Sequence, residues 1–370
     1  MALQRQFSPQ ELFQEGRRET WERDGVSFPV DIRCGKTTDL FGLKKDLLHG
    51  FKDRVKAYRD MCNRYLSEDS NLSAVEACPL CGKATSEATN AGTIHGMLYV
   101  RCAGCDMRYL AIRLSNAALD EFYAKDEVLS ATHADPTLTK KRVEEVVMPK
   151  VKWAIEAFEK AYGRKPKKIV DVGAGGGQFV YAARLLGLEA DGVEPNEPSR
   201  NYCKEAFGID LIPDDFLDFA KKAKGYDMVT AWAVLEHIPN FMEILAAART
   251  MLPSEGMMVA EVPRWHSLDT AIQTRYADAV NRHLFPLSHI QIFSDNALAE
   301  AFCRNDLLPS AAWYFGMDTY ELTMQLSRLT DDEKIITGTG KDLLGFQQTL
   351  DQGMLSDTMV FAGAVRKADA

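Results

Sequence analysis

The residues with the types and spacing for chemistry begin at Val170-Asp-Val-Gly-Ala-Gly-Gly-Gly-Gln-Phe179. This stretch reads as a strand running into a glycine turn that opens a helix. Gly173, Gly175 and Gly177 let the backbone approach a ligand closely, and the helix start beyond them offers free N–H groups. A dinucleotide fingerprint needs a third glycine three positions after the second. That position is Gln178, so the dinucleotide reading fails. What stands here is an acid, Asp171, followed by G-x-G-x-G. A second strand, 188–193, ends in Glu194, about 20 residues on, where an acid can accept hydrogen bonds from ribose hydroxyls. Asp214, Asp215 and Phe216 follow a short expected strand at 209–212. A carboxylate such as Asp215 suits the exocyclic amine of an adenine, and a ring such as Phe216 can pack on the base. The segment Tyr226–Trp232 makes a fourth strand, and Val234-Leu-Glu-His-Ile238 comes directly after it.

Four of the eight cysteines are paired as Cys78-Pro-Leu-Cys81 and Cys102-Ala-Gly-Cys105. Two such knuckles complete a tetrahedron of thiolates, which is a structural zinc signature with no open coordination position. Strands at 97–100 and 107–111 would flank the second knuckle as in a zinc ribbon. The disulfide alternative needs an oxidising compartment, and nothing at the N-terminus reads as a secretory signal. Cys34, Cys62, Cys203 and Cys303 are scattered, as buried thiols are.

The elements that must position these groups are an α/β alternation. From 168 to about 262, strand and helix alternate as a doubly wound, Rossmann-like parallel sheet requires. A helix over 138–162 feeds the first strand. After Pro263 the alternation breaks into an insertion, 264–293, of the kind that carries substrate contacts. A helix at 294–304, a strand at 311–315, a mostly helical stretch at 317–356 and a closing strand at 358–365 follow. The expected division is a helical N-terminal extension over 1–77, a zinc ribbon over 78–112, a core over 135–316, and a helical insertion with the last strand over 317–370. In the extension, Leu43, Leu47, Phe51, Val55, Tyr58, Met61 and Tyr65 fall at near-helical spacing. Such a stripe suits a core, a lid or a dimer contact, so an oligomer is compatible with it.

Composition narrows the classes. A chain of 370 residues with 46% hydrophobic and 26% charged residues is ordinary for a soluble globular protein of two to three domains. No window reaches the ~18 apolar residues of a membrane span, so a cytoplasmic protein is expected. A net charge of −9 argues against broad nucleic-acid binding. The one basic cluster, Arg164-Lys-Pro-Lys-Lys168, reads as a solvated turn.

Asp171 with its glycine turn, Glu194, Asp215 and the 226–238 segment stand in the order and spacing of the class I S-adenosylmethionine (SAM) methyltransferases, which the chain resembles. With the cysteine pairs, Tyr99-Val-Arg-Cys102, Glu261-Val-Pro263 and His289-Ile-Gln-Ile-Phe-Ser294, it is similar over about 76–316 to bacterial sugar C-methyltransferases that carry an N-terminal zinc module. The resemblance implies SAM held by Asp171, Gly173, Gly175, Gly177, Glu194, Asp215, Phe216 and Trp232, and zinc held by Cys78, Cys81, Cys102 and Cys105. It also implies a small-molecule acceptor: a nucleotide sugar, a glycan or a secondary metabolite. In that family a histidine that follows a tyrosine and a glutamate is the base. Here His289 is kept, while those two positions hold Pro286 and Ser288. An Asn/Asp-Pro-Pro-aromatic turn is absent after the fourth strand, which argues against methylation of base amines.

Methyl transfer to a hydroxyl or carbon acid needs a proton acceptor, and a histidine suits that role. His289 is the first choice, followed by His237 with Glu236, then His283 and His266. The alternatives are that His289 shapes the pocket by bonding a loop, and that His237 fixes the turn after the fourth strand. Trp232, Trp265 and Tyr276 suit stacking on an acceptor, and core packing accounts for Trp232 equally well. Two other readings stay open. One is an RNA or protein methyltransferase docking through the ribbon, although 78–105 contains only Lys83 and Arg101 as basic residues. The other is a SAM-binding partner subunit without catalysis.

Overall fold

The computed structural model describes residues 2–7, 14–36, 38, 51–125, 136–276, 282–332, 334–339 and 343–366. Numbered along the chain, the strands are β1 (Gln4–Gln6), β2 (Gly16–Arg23), β3 (Val26–Cys34), β4 (Leu72–Ala74), β5 (Thr89–Ile94), β6 (Met97–Arg101), β7 (Arg108–Leu110) and β8 (Ile112–Leu114). The rest are β9 (Lys168–Val172), β10 (Glu189–Val193), β11 (Met228–Trp232), β12 (Met257–Pro263), β13 (Gln291–Ile292), β14 (Leu307–Phe315) and β15 (Thr358–Val365).

Nine of these form one sheet in the order β1-β2-β3-β14-β15-β12-β11-β9-β10. The run β10-β9-β11-β12 is parallel, and β15 lies antiparallel between β12 and β14. The fold is α/β, doubly wound in its parallel half. Helices cover both faces there, so β9, β11 and β12 are apolar almost throughout. Successive side chains on a strand point to opposite faces. Val170 and Val172 accordingly pack with Phe241, Leu245 and Phe293 on one face. Ile169 packs with Trp153, Phe158 and Val180 on the other. Burying each such side chain is worth about 1.5–3 kcal/mol.

The N-terminal extension corrects the helical expectation for 1–77. Its described part begins with β1, β2 and β3, which continue the sheet through a parallel pairing of β3 with β14. Helix Phe51–Leu66 is the α-helix among the described residues of that segment, and the stripe positions Leu43 and Leu47 lie outside them. The strand pattern is hidden because the inward positions of β2 are Arg17, Glu19, Trp21 and Arg23. Arg17, Glu19 and Trp21 can be buried because they satisfy one another, and Arg23 because it pairs with Glu300. Glu19 accepts from Arg5 Nε at 2.8 Å, Arg17 Nε at 2.7 Å and Trp21 Nε1 at 2.7 Å.

The strand expected at 209–212 is also absent as an element. A single bridge, Ile212 to Val193, stands in its place, just before Pro213. The ribbon strands β5, β6 and β7 form a separate sheet whose edge is completed by β13, from the end of the 264–293 insertion. Residues 277–281 of that insertion, and His133 and Asp135 of the expected polar stretch, fall outside the described residues. Among the described residues no helix is long and apolar enough to cross a membrane.

Candidate active site

The glycine turn follows β9 at the carboxyl edge of the parallel strands. Asp171 is buried there and accepts from Thr230 Oγ1 at 2.6 Å; burial pushes its carboxyl up to about 7. Gly173, Gly175 and Gly177 all have positive φ, at 62°, 51° and 74°. They differ in what surrounds them. A Cβ on Gly177 would sit 2.1 Å from Cys203 Sγ, so that glycine is required by packing. A Cβ on Gly175 would meet nothing within 4 Å, so this glycine faces open space.

Glu194, at the end of β10, is buried and bonds across to the turn. One carboxylate oxygen accepts from Gly175 N at 2.7 Å and the other from Asn196 N at 2.8 Å. Burial pushes its pKa up, and the two N–H donors oppose that shift. Each oxygen keeps a further lone pair. Asn196 in turn caps helix Glu197–Phe207, accepting from Ser199 N at 2.9 Å. The structure thus brings Asp171, the glycines and Glu194 together. Asp215 is exposed and caps the helix Phe216–Lys222, accepting from Leu217 N at 2.8 Å. Phe216 is buried in the core beside Val193 and Ala231. Trp232, closing β11, lies 5.0 Å from Phe179, and its Nε1 has no hydrogen-bond partner among the described residues. Lys150 Nζ sits 5.2 Å over the Trp232 ring and pairs with Glu261 at 2.7 Å.

Beside this lies a cluster of histidines. After β11 the chain turns through Ala233, which has φ of 56°, into the short 3-10 helix Leu235–His237. The insertion clamps that turn: Gln291 Nε2 donates to Leu235 O at 2.6 Å and Ile238 O at 2.8 Å, and Ile290 N donates to Glu236 O at 3.1 Å. Glu236 is 0% exposed, and neither of its carboxylate oxygens has a hydrogen-bond partner among the described residues. Burial, aided by Glu261, pushes its pKa up to about 8. His237 Nδ1 lies 3.0 Å from Ser288 O and 3.0 Å from the Tyr123 hydroxyl. His289 Nδ1 lies 2.9 Å from His283 O. Carbonyls only accept, so both rings carry their proton on Nδ1 and present a bare Nε2. Burial pushes His237 down to about 4 and His289 well below the ordinary histidine value, so both are neutral.

The rings of His237 and His289 are 4.7 Å apart, and those of His289 and His283 5.9 Å. His283 is paired with a different carboxylate, Asp357, at a slightly shorter distance than His237 keeps from Glu236. Its Nε2 is 3.6 Å from Asp357 Oδ2 and 3.4 Å from Thr358 Oγ1, and its Nδ1 has no partner among the described residues. Arg282 reaches the same pair, 2.8 Å from Thr358 Oγ1. His266 lies elsewhere, 3.3 Å from Arg108 on the ribbon, and the Trp265 ring packs against Tyr99 at 6.3 Å. Tyr276 is exposed.

The four cysteines also converge. Cys78 Sγ is 3.4 Å from Cys105 Sγ, Cys81 Sγ is 3.4 Å from Cys102 Sγ, and all four sulfurs lie within 4.8 Å of one another. Four thiolates at about 2.3 Å from one ion would be spaced about 3.8 Å apart, so the donor set and its spacing fit a tetrahedral zinc. Lys150, Gln291, Asp357 and Tyr123 escape a sequence reading. Gln291 alone carries a signal, as an amide inside the apolar run that follows His289.

Residues 149–308 match the family model of a methyltransferase domain. That domain is an enzyme's catalytic domain. A ubiquinone biosynthesis O-methyltransferase of Actinobacillus pleuropneumoniae is 30% identical over 110 residues, which is 27% of this chain and 47% of that protein. Its counterpart in Vibrio atlanticus is 33% identical over 106 residues, 27% of this chain and 44% of that one. The chain thus spans about half the length of the curated relatives it matches. Among solved structures, a magnesium protoporphyrin IX methyltransferase of Synechocystis with bound S-adenosylhomocysteine (SAH) aligns at a TM-score of 0.45 and 10% identity, covering 68% of this chain and 100% of that one.

Proposed function

We propose that the protein transfers a methyl group from SAM to a hydroxyl of a small-molecule acceptor. The observation that carries this reading is the juxtaposition, on adjoining strand ends of one sheet, of two features. One is the glycine turn whose open position, Gly175, is tied to Glu194. The other is a half-buried nest of neutral histidines just past β11. The methyltransferase match over 149–308 supports the reaction class, and the O-methyltransferase relatives favour oxygen as the nucleophile.

SAM supplies a methyl on a sulfonium, an electrophile that carries its own leaving group. In this reading Glu194 takes the ribose hydroxyls on its remaining lone pairs, and the N–H groups of the turn face the rest of the ligand. The acceptor lies over Trp232 and the histidines. His283 accepts the hydroxyl proton at Nδ1, with Asp357 stabilising the imidazolium that forms. The oxygen bonds to the methyl carbon as the carbon–sulfur bond breaks, and the electron pair leaves with sulfur as neutral thioether. His289, the first choice from the sequence, has no carboxylate partner and is the weaker base. The unpartnered polar atoms of Trp232, Glu236, His283 and Asp357 suit a hydroxyl-bearing acceptor such as a nucleotide sugar, a glycan or a secondary metabolite.

The cysteines hold a structural zinc in this reading, and the ribbon buttresses the site. Tyr99 on β6 donates to His289 O at 2.7 Å, and β7 pairs with β13 two residues beyond His289. That role favours the small-molecule reading over a ribbon that docks RNA or protein. Incubation with methyl-labelled SAM and fractionated cell extract tests it. Label in hydroxyl-bearing small molecules or glycans is expected, and label in RNA or protein would overturn the reading.

A further inference from the structure

We propose that Glu236, His237 and His289 form a second metal site, one that binds a divalent ion of the Mn2+-to-Zn2+ series and leaves coordination positions open for the acceptor. The role given to the acceptor rests on the methyl-transfer reading; the site itself does not.

The ligand atoms of these three side chains lie within 4.8 Å of one another. A fully buried carboxyl group with no hydrogen bond to either oxygen is a polar group left unsatisfied, and a bound cation would satisfy it. A direct bond to histidine does not: His237 Nε2 is 3.9 Å from Glu236 Oε1, beyond hydrogen-bond range. The gap suits an ion instead. A tetrahedral cation with ligands at about 2.0–2.1 Å holds them about 3.3 Å apart, so side-chain movements of about 1 Å close the site.

The histidines are prepared for the same role. Each donates its Nδ1 proton to a backbone carbonyl, His237 to Ser288 O and His289 to His283 O, which fixes the ring and leaves the Nε2 lone pair free to bind. Metal-binding histidines are characteristically oriented in this way. Those carbonyls belong to the insertion, and Gln291 holds the insertion on the Leu235–Ile238 turn that carries the other two ligands. Two imidazoles and one carboxylate select a borderline transition metal over Mg2+ or Ca2+, and three protein ligands leave room for substrate. The four-cysteine site, by contrast, is closed. An acceptor with two neighbouring hydroxyls, a vicinal diol or a catechol, could chelate the open positions. The ion would lower the pKa of the bound hydroxyl, and the departing proton would pass to His283.

The test counts ions on the full chain. Protein stripped with chelator is reloaded with Zn2+ or Co2+, and bound metal is measured by elemental analysis and by the Co2+ optical spectrum. The wild type is expected to take two equivalents, one giving intense thiolate charge-transfer absorption and one only weak d–d bands. Glu236→Gln and His289→Ala should each drop to one equivalent and leave only the thiolate-bound ion's spectrum, while Cys81→Ser loses the charge-transfer absorption instead. If a variant fails to fold, the wild-type spectrum still decides. A wild type with one equivalent, all of it thiolate-bound, would overturn the proposal. So would an undiminished count in a folded Glu236→Gln. Calorimetry of SAM on the same samples reports separately on the methyl-transfer reading: SAM bound with a single metal equivalent sinks the second site alone.

Discussion

Glu194→Gln removes one charge and changes one atom's chemistry without changing shape, and the structure gives both of its consequences. The carboxylate currently accepts two backbone N–H groups, Gly175 at 2.7 Å and Asn196 at 2.8 Å. An amide offers one oxygen and one NH2, so one of those donors would then face another donor. A hydrogen bond to a charged group is worth about 1.5–3 kcal/mol, and leaving a buried N–H unpaired adds to the cost. The fold should therefore lose about 2 kcal/mol, read as a drop of several degrees in melting temperature. SAM binding should suffer independently, because the ribose hydroxyls lose a charged acceptor. At ~1.4 kcal/mol per tenfold, a loss of about 1.5–3 kcal/mol predicts ~10- to 100-fold weaker binding by calorimetry. A melting temperature that falls while SAM affinity stays within twofold would make Glu194 a loop clamp and nothing more. Unchanged stability would refute the clamp as well.

The two glycines should separate ligand from fold. Gly175→Ala pays only for a left-handed backbone, about 1–2 kcal/mol of stability, but should weaken SAM tenfold or more, whereas Gly177→Ala drives a Cβ into Cys203 Sγ and should chiefly lower expression and melting temperature. Equal SAM affinity in wild type and Gly175→Ala would put the ligand elsewhere. His283→Gln should cut kcat by about 10²–10⁴ with SAM affinity intact, and an unaffected kcat would remove His283 from proton transfer. Cys81→Ser should release one metal equivalent and lower activity only through the loop that Tyr99 steadies at His289; full metal content would count against the four-cysteine site. Asp295 is buried against Arg264 at 2.9 Å and Arg5 at 3.2 Å, and although burial alone would raise its pKa, the two guanidinium groups hold it well below the carboxylate range. Its folded pKa is depressed, so its stabilisation is present above the unfolded value of about 3.9 and is lost as pH falls below that. Asp295→Asn should thus cost about 3–5 kcal/mol near neutral pH, with the gap to wild type narrowing in acid; a pH-independent gap in chemical denaturation would contradict this.

The parts of the molecule legible in the sequence are those where a local rule and the tertiary role coincide. The glycine turn announces itself because backbone geometry and ligand approach demand the same residue. The cysteine pairs do so because their spacing is the one a four-thiolate metal site would require, and β9, β11 and β12 do so because burial on both faces leaves an apolar run. The N-terminal strands were obscured for the opposite reason. Hydropathy scores Arg17, Glu19 and Arg23 as solvent-facing, yet they point inward: Arg17 and Glu19 neutralise each other, and Arg23 pairs with Glu300, far along the chain, at 2.7 Å. Charge pairing at that separation leaves no trace in a short window. The candidate site shows both cases side by side. Glu236 and His237 stand out in the sequence because they directly follow a strand, and His289 because it begins a recognisable run. What makes the three a unit is not in their types. It lies in the carbonyls of Ser288 and His283, which dictate the tautomers, and in Gln291, which ties the insertion to the turn. Asp357, the carboxylate paired with His283, enters from β15's approach, 74 residues later in the chain. A sequence shows which side chains can take part in proton transfer or hold a metal. The order among them is set by second contacts through the backbone, and only the fold supplies those.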